Sequence, residues 1–218
     1  MADARAEILA RIRSALADVP ASERPGDVPV AREYRRADDR SRDELVALFA
    51  QRVGDYRADV QRVPPVRLPE AIAQACSKQG LHRLAVPAGL PDAWPPAGIE
   101  LVRDEGLSAA ELDRIDGALT GCAAAIAETG TIVLDGGRLS GRRALTLVPD
   151  HHICVVTADQ IHGQIAEALA AVATAVTEQH APITLVSGPS ASSDIELERV
   201  EGVHGPRHLT VLIAEPGA

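Results

Sequence analysis

The stretch VQRVPPVRLPEAIAQACSKQGLHRLAVP, residues 60–87, reads as strand, helix, strand. A short apolar segment at Val60–Val63 is followed by a helix over residues 69–78, and Gly80 then precedes a strand at Leu84–Pro87. Two strands with a helix between them form the β-α-β rhythm that favours a parallel sheet. The fold class expected from this stretch is therefore α/β.

Upstream, Ser41 and Glu44 have the spacing of a capping box, in which hydroxyl and carboxylate each satisfy an orphan amide of the first turn. Leu45, Leu48, Phe49 and Val53 then line one face of a helix expected to reach about Tyr56. Residues 20–40, with Pro20, Pro25, Pro29 and dense mixed charge, read as a linker or arm. Residues 1–19 read as a separate amphipathic helix, from Ile8, Leu9, Ile12 and Leu16 at helical spacing. The main domain is expected over 41–218.

Downstream, Pro87, Pro91, Pro95 and Pro96 surround Trp94 in a surface loop. A strand at Ile99–Val102 leads to a second capping box, Ser108 with Glu111, and a helix burying Leu112, Ile115 and Leu119. Short apolar runs follow at Ala123–Ala127, Thr131–Leu134, Ala144–Val148 and Ile153–Thr157, and these read as consecutive strands. Ile161, Ile165, Leu169, Val172 and Val176 suggest one long helix, Ile183–Ser187 a buried strand and Leu209–Ala214 the last strand.

The chain has 218 residues, 46% hydrophobic and 24% charged, which excludes global disorder. Its net charge of −9 disfavours a nucleic-acid partner, whose binding rests on Lys and Arg neutralising phosphates. The acidity is uneven, with 16 basic against 17 acidic residues over 1–110 and 6 against 14 beyond. Lys78 is the sole lysine, which argues against Schiff-base or P-loop lysine chemistry, and no Gly-rich nucleotide fingerprint occurs. Cys76, Cys122 and Cys154 are widely spaced, so neither a disulfide framework nor a cluster site is expected. No apolar run approaches the ~18 residues of a membrane span, and a cytoplasmic chain without a membrane anchor is expected.

Several segments could carry chemistry. Ile183–Ser187 runs into Gly188-Pro189-Ser190-Ala191-Ser192-Ser193-Asp194-Ile195-Glu196, where Ser193 and Glu196 form a third possible capping box. A strand feeding a glycine turn and a helix start would offer amides and hydroxyls to an anion at the carboxyl edge of an open sheet, or the serines could simply cap. Glu128 lies in Ala127-Glu128-Thr129-Gly130-Thr131, between apolar runs. Partial burial would raise its pKa and suit acid–base or nucleophilic work, and an exposed hairpin turn is the alternative. Arg142-Arg143 and Asp150-His151-His152 flank one apolar run, and adjacent histidines in an extended chain face opposite ways, so at most one of that pair faces a site. His204, in Gly202-Val203-His204-Gly205-Pro206, could be oriented toward a ligand or merely cap a turn. His204 and His208 are four apart, but Gly205 and Pro206 break any helix between them, so no metal site is expected.

Taken together, Thr120-Gly121-Cys122, Ile126 to Thr131, Arg143 to Pro149, Gly188-Pro189-Ser190 with Asp194-Ile195-Glu196, and Gly202 to Pro206 resemble the lactate utilisation protein C family of LUD-domain proteins. The resemblance is strongest over residues 115–214. It departs from the family's usual pattern at Ser192-Ser193, where the hydroxyl character is retained. It implies a NagB/RpiA/CoA-transferase-like three-layer α/β sandwich with a mostly parallel sheet and an added N-terminal helix. It also implies a role in oxidising L-lactate to pyruvate beside iron–sulfur partner proteins, with no cofactor in this chain and a small carboxylate as ligand. It supplies no catalytic assignment for this chain; the motif positions it carries over as a site are Glu128 and His204, whose chemistry suits them to handle a proton in catalysis, and Thr129, Gly130, Thr131, Arg143, Gly188, Pro189, Ser190, Asp194 and Gly205 for binding, with no metal ligand. The alternatives are a free-standing CoA-transferase-like enzyme using Glu128 for acyl transfer and a small-carboxylate binding protein without chemistry.

Overall fold

The computed structural model of the chain describes residues 4–20, 22–24, 26–27, 29–192, 200–201 and 205–215. Contacts divide it into two units, residues 1–34 and 35–218. In the first, α1 (Ala4–Ala15) leaves Ile8 and Ile12 exposed. The second unit starts at Arg35 because Asp38 ties the chain down ahead of the first long helix. Its carboxylate accepts from Gln164 Nε2 at 3.0 Å and from the Arg40 N–H at 3.1 Å, while its own N–H donates to Glu167.

From there the order is α2 (Arg42–Asp55), β1 (Asp59–Val63), α3 (Leu68–Gln79), β2 (Arg83–Val86), β3 (Glu100–Arg103), α4 (Ala109–Leu112) and β4 (Gly117–Thr120). Then come β5 (Ala124–Ile126), β6 (Thr131–Leu134), β7 (His151–Thr157), β8 (Ile161–His162), α5 (Ile165–Ala171), α6 (Ala173–Thr177), β9 (Thr184–Val186), β10 (Ala191–Ser192), β11 (Val200–Glu201) and β12 (His208–Ala214). Both expected capping boxes, Ser41 with Glu44 and Ser108 with Glu111, are formed with both bonds present. Gly80 closes α3 in the left-handed region, where glycine has no Cβ penalty.

Six strands form a parallel sheet in the order β1-β12-β7-β4-β2-β3. Side-chain alternation gives it two buried faces, as a parallel sheet requires. Ile153 and Val155 of β7 and Leu212 and Ala214 of β12 pack with Leu68, Ile72 and Cys76 of α3. On the opposite face, Cys154, Val156, Val211 and Ile213 meet Leu45, Val46, Phe49 and Val53 of α2. The same cluster takes in Ala125 and Ile132 of a second sheet, ordered β8-β5-β6-β9. The outer face of that second sheet is covered by Ala168 and Val172. The expected three-layer α/β arrangement is thus what the chain forms.

The structure departs from the sequence reading at several points. Ala144–Val148 is a turn segment, not a strand: the Leu145 N–H donates to the Arg142 carbonyl and the Val148 N–H to that of Ala144. Its apolar run buries Leu145 against Ala85, Leu112 and Ala118 instead of joining a ladder. The helix after Ser108 lasts one turn, and Leu119 belongs to β4. The long helix expected from Ile161 to Val176 is divided, since Ile161 starts the two-residue strand β8 and the backbone at Val172 breaks α5 from α6. The expected buried strand at Ile183–Ser187 is β9, an edge of the second sheet with Leu185 53% exposed.

Candidate functional site

The alternation of β7 puts its two histidines on opposite sides of the parallel sheet, as adjacent residues of a strand must be. His152 faces the second sheet and is fully buried, with Nε2 2.8 Å from Thr120 Oγ1 on the neighbouring strand β4. It forms the floor of a cavity of about 210 Å³ between the two sheets. Arg143, Thr146, Ser187, Gly188, Pro189 and Ser190 line this cavity, with Gly205 and Pro206 closing it beside Leu209. The Ser190 N–H donates to the Pro206 carbonyl at 2.8 Å, which clasps the two glycine-bearing loops together. Arg143, Gly188, Pro189, Ser190 and Gly205 are therefore brought together, although they lie far apart in sequence.

The cavity is not at the carboxyl edge of the parallel sheet, where the Gly188 loop was expected to present amides. It lies at the amino ends of β7 and β12, over His152 and Leu209. The cause is topological. The strand feeding the loop, β9, belongs to the second sheet and pairs antiparallel with β6. Past Ser190 the chain enters β10, which pairs antiparallel with β11. The expected capping box at Ser193 with Glu196, together with Asp194 and His204, lies outside the described residues.

Burial, with a smaller contribution from the Arg143 charge, pushes the His152 imidazole down to about 4. It is neutral at physiological pH, with one nitrogen engaged by Thr120. A cationic guanidinium and a neutral imidazole thus share one small cavity with the Ser187 and Ser190 hydroxyls. That set can hold a carboxylate at Arg143 and exchange a proton at His152. His152 was named in the sequence only as one of a pair of which at most one could face a site, and Thr120 only as part of a motif.

Glu128 is placed elsewhere. Residues 127–130 form the turn joining β5 to β6, the hairpin alternative recognised in the sequence. The expected partial burial is not observed: the Glu128 side chain is 45% exposed, with its carboxylate 3.9 Å from Arg35. Thr129 Oγ1 shares a 2.7 Å hydrogen bond with Thr131 Oγ1, which shares another of 2.7 Å with Ser187 Oγ. This hydroxyl chain connects the hairpin turn to the cavity wall. Gly130, at φ +60, lies so close to α2 that a Cβ would stand 2.7 Å from the Arg52 carbonyl carbon and the Val53 nitrogen. Its place in the motif is thereby accounted for by packing.

Gly188 is constrained in the same two ways, by φ +85 and by a would-be Cβ 2.5 Å from that of Tyr56. Gly188→Ala is expected to lower stability by about 1–3 kcal/mol and to shift the cavity wall, because an L side chain is strained at this φ. Urea unfolding of the variant would show this, and an unchanged midpoint would mean that the turn tolerates a side chain.

All three cysteines are buried free thiols. Burial pushes Cys76 up to about 11, and the Cys154 sulfur together with burial raises Cys122 further from its ordinary value. Cys76 and Cys122 therefore stay protonated, without the thiolate character of a reactive cysteine. Among the described residues, no helix is long and apolar enough to cross a membrane.

The two-sheet architecture and the polar cavity between the sheets define a three-layer α/β protein. The LUD domain model matches residues 103–214, the span that holds both loops of the cavity, Arg143 and His152. A Lactate utilization protein C from Deinococcus radiodurans is 48% identical over 97% of this chain and 96% of the relative. One from Bacillus licheniformis is 26% identical over 80% of each chain. A crystal structure of a DUF162 family protein from Deinococcus radiodurans superposes with a TM-score of 0.70 at 45% identity, covering 80% of this chain and 99% of that one. The chain belongs to the lactate utilisation protein C family of LUD-domain proteins.

Proposed function

We propose that this chain serves lactate utilisation, as a component of a system that oxidises L-lactate to pyruvate together with iron–sulfur partner proteins. Its own part is to bind the small carboxylate in the Arg143–His152 cavity. The names of the relatives support the metabolic role. The observation that carries the site is the joint presence of Arg143 and neutral His152 on a cavity of about 210 Å³, a volume suited to an acid of a few carbons. Arg143 would pair with the carboxylate, the serine hydroxyls would orient it, and the neutral His152 would accept the hydrogen bond of a 2-hydroxyl group. Four thiolates are the usual cradle of an iron–sulfur cluster, and three buried thiols, with Cys76 in a different core cluster from Cys122 and Cys154, do not supply one. The clusters therefore reside in the partners in this reading. Glu128 lines neither this cavity nor the cleft of about 1120 Å³ bordered by Asp116, His151 and Arg207, so acyl transfer at that residue has no comparable support.

The test is thermal melting of the purified chain with L-lactate or pyruvate, beside lactate oxidation by the assembled complex. Ligand at a hundred times its dissociation constant should add about 2.7 kcal/mol, or roughly 5–10 °C for a chain of this size. Arg143→Ala removes a charge-assisted bond of about 1.5–3 kcal/mol and should weaken binding about tenfold to a hundredfold. No shift with either acid, together with wild-type turnover of the complex carrying Arg143→Ala, would overturn the proposal.

A further inference from the structure

The other histidine of β7 leads to a second site, independent of the lactate reading. His151 lies on the side of the parallel sheet away from His152, and its in-register partner on β12 is His208. The two imidazoles stack with centroids 4.4 Å apart and planes 13° from parallel. Asp150, the residue before β7, brings its carboxylate to the same point: the ligand atoms of Asp150, His151 and His208 all lie within 4.8 Å of one another. We propose that Asp150, His151 and His208 form a binding site for a divalent transition-metal ion of the zinc class.

Three observations support the assignment. First, the ligand types fit: two imidazoles and one carboxylate suit zinc and its neighbours in the first transition row, whereas magnesium and calcium take oxygen donors almost throughout. Second, the backbone is already in place. β7 and β12 are adjacent parallel strands, and the His208 N–H donates to the Asp150 carbonyl at 3.2 Å. Donors on a tetrahedral zinc ion are roughly 3.3 Å apart, so the rings need only turn on their own side-chain bonds. Third, the carboxylate has a supporting partner. Asp150 Oδ1 accepts from Arg207 Nε at 2.7 Å, and a carboxylate with about four lone-pair positions can hold that guanidinium and a metal ion together.

The site opens on a cleft of about 1120 Å³ at the amino ends of the strands. Three protein ligands leave a fourth position facing that cleft, the pattern of a metal that keeps water or an exchangeable ligand. Arg143 and Gly205 border both this cleft and the Arg143–His152 cavity. A metal here would add positive charge near the mouth of the proposed carboxylate pocket.

The experiment titrates the tag-free full-length chain with Zn²⁺ against a chromophoric chelator and repeats the titration with His208→Ala and His151→Gln. The expected result is one equivalent bound by the wild type and a loss of affinity of about a hundredfold in each variant, with Asp150→Asn losing about tenfold. Co²⁺ should give the visible absorption of a four-coordinate ion in the wild type and none in His208→Ala. His208 is exposed, so its replacement should leave the melting temperature without metal unchanged, and the comparison holds even if His151→Gln folds poorly. Zn²⁺ affinity unchanged in His208→Ala, or no equimolar binding to the wild type, would overturn the site.

Discussion

Phe49→Ala is expected to lower the unfolding free energy by about 3–5 kcal/mol, a large part of the 5–15 kcal/mol that holds a typical domain. Phe49 is the only phenylalanine of the chain and is fully buried. It lies where α2, β7, β12 and the second sheet meet, in one cluster with Val156, Ile213 and Ile132. These layers come from distant parts of the sequence, so no single element can shift to fill the space without disturbing another, and the cavity term adds to the lost transfer energy. The melting temperature should fall by about 6–20 °C. Chemical unfolding should show a lower midpoint with an unchanged slope, because the surface exposed on unfolding hardly changes. A loss below about 1 kcal/mol would show that α2 collapses onto the sheet and that the layers are less tightly coupled than their packing indicates. The consequence reaches the site, since Gly130 packs on the α2 backbone at Arg52 and Val53, and the Thr129–Thr131–Ser187 hydroxyl chain starts from the same hairpin.

What could be read from the sequence was local. The residue 60–87 stretch carries its strand–helix–strand pattern in composition and spacing, and the capping boxes at Ser41 and Ser108 are side-chain bonds made within four residues. Ala144–Val148 misled because a five-residue apolar run has no period, so a strand and a turn burying Leu145 look alike. Ile161 to Val176 misled in the opposite way: helical spacing persisted across a strand and a break that only tertiary packing fixes. The division into two sheets left no local trace, and with it went the location of the Gly188 loop. The motif residues Arg143, Gly188, Ser190 and Gly205 were recognisable by resemblance, but their common partner was not. His152 joins them only through the pairing of β7 with β12, whose leading segment carries Gly205, and His151 meets His208 through the same register. Spacing in sequence pointed to His204 and His208, a pair that says nothing about a neighbour on another strand.

The chain is expected to lose about 3 kcal/mol of stability between pH 6.5 and 4 through His152 alone. The folded-state pKa is depressed to about 4, while an unfolded histidine titrates near 6.5. Below pH 6.5 the unfolded chain takes up a proton that the folded chain refuses, so acidification favours unfolding until the pH reaches the folded value. His151 and His162 are also lowered, chiefly by burial, and act in the same direction with less burial behind them. Asp104 and Asp150, held below the usual carboxylate range by Arg142 and Arg207 against the opposing effect of burial, add their losses only below about pH 4. The two windows therefore separate. Urea midpoints across pH 7 to 4 should fall steeply in the wild type and much less in His152→Gln, whose amide can still meet the Thr120 hydroxyl. An equal slope in the variant, or an imidazole NMR titration of His152 near 6.5, would refute the assignment. The same burial sets what the imidazole can do for the proposed ligand. An anion bound at Arg143 offsets only the smaller cause of the shift, and burial, the larger one, keeps His152 neutral and able to accept a hydrogen bond. L-lactate affinity should then hardly change between pH 7.5 and 6, and a calorimetric titration in buffers of differing ionisation heat should show no net proton uptake; a proton taken up on binding would show that the ligand charges the imidazole.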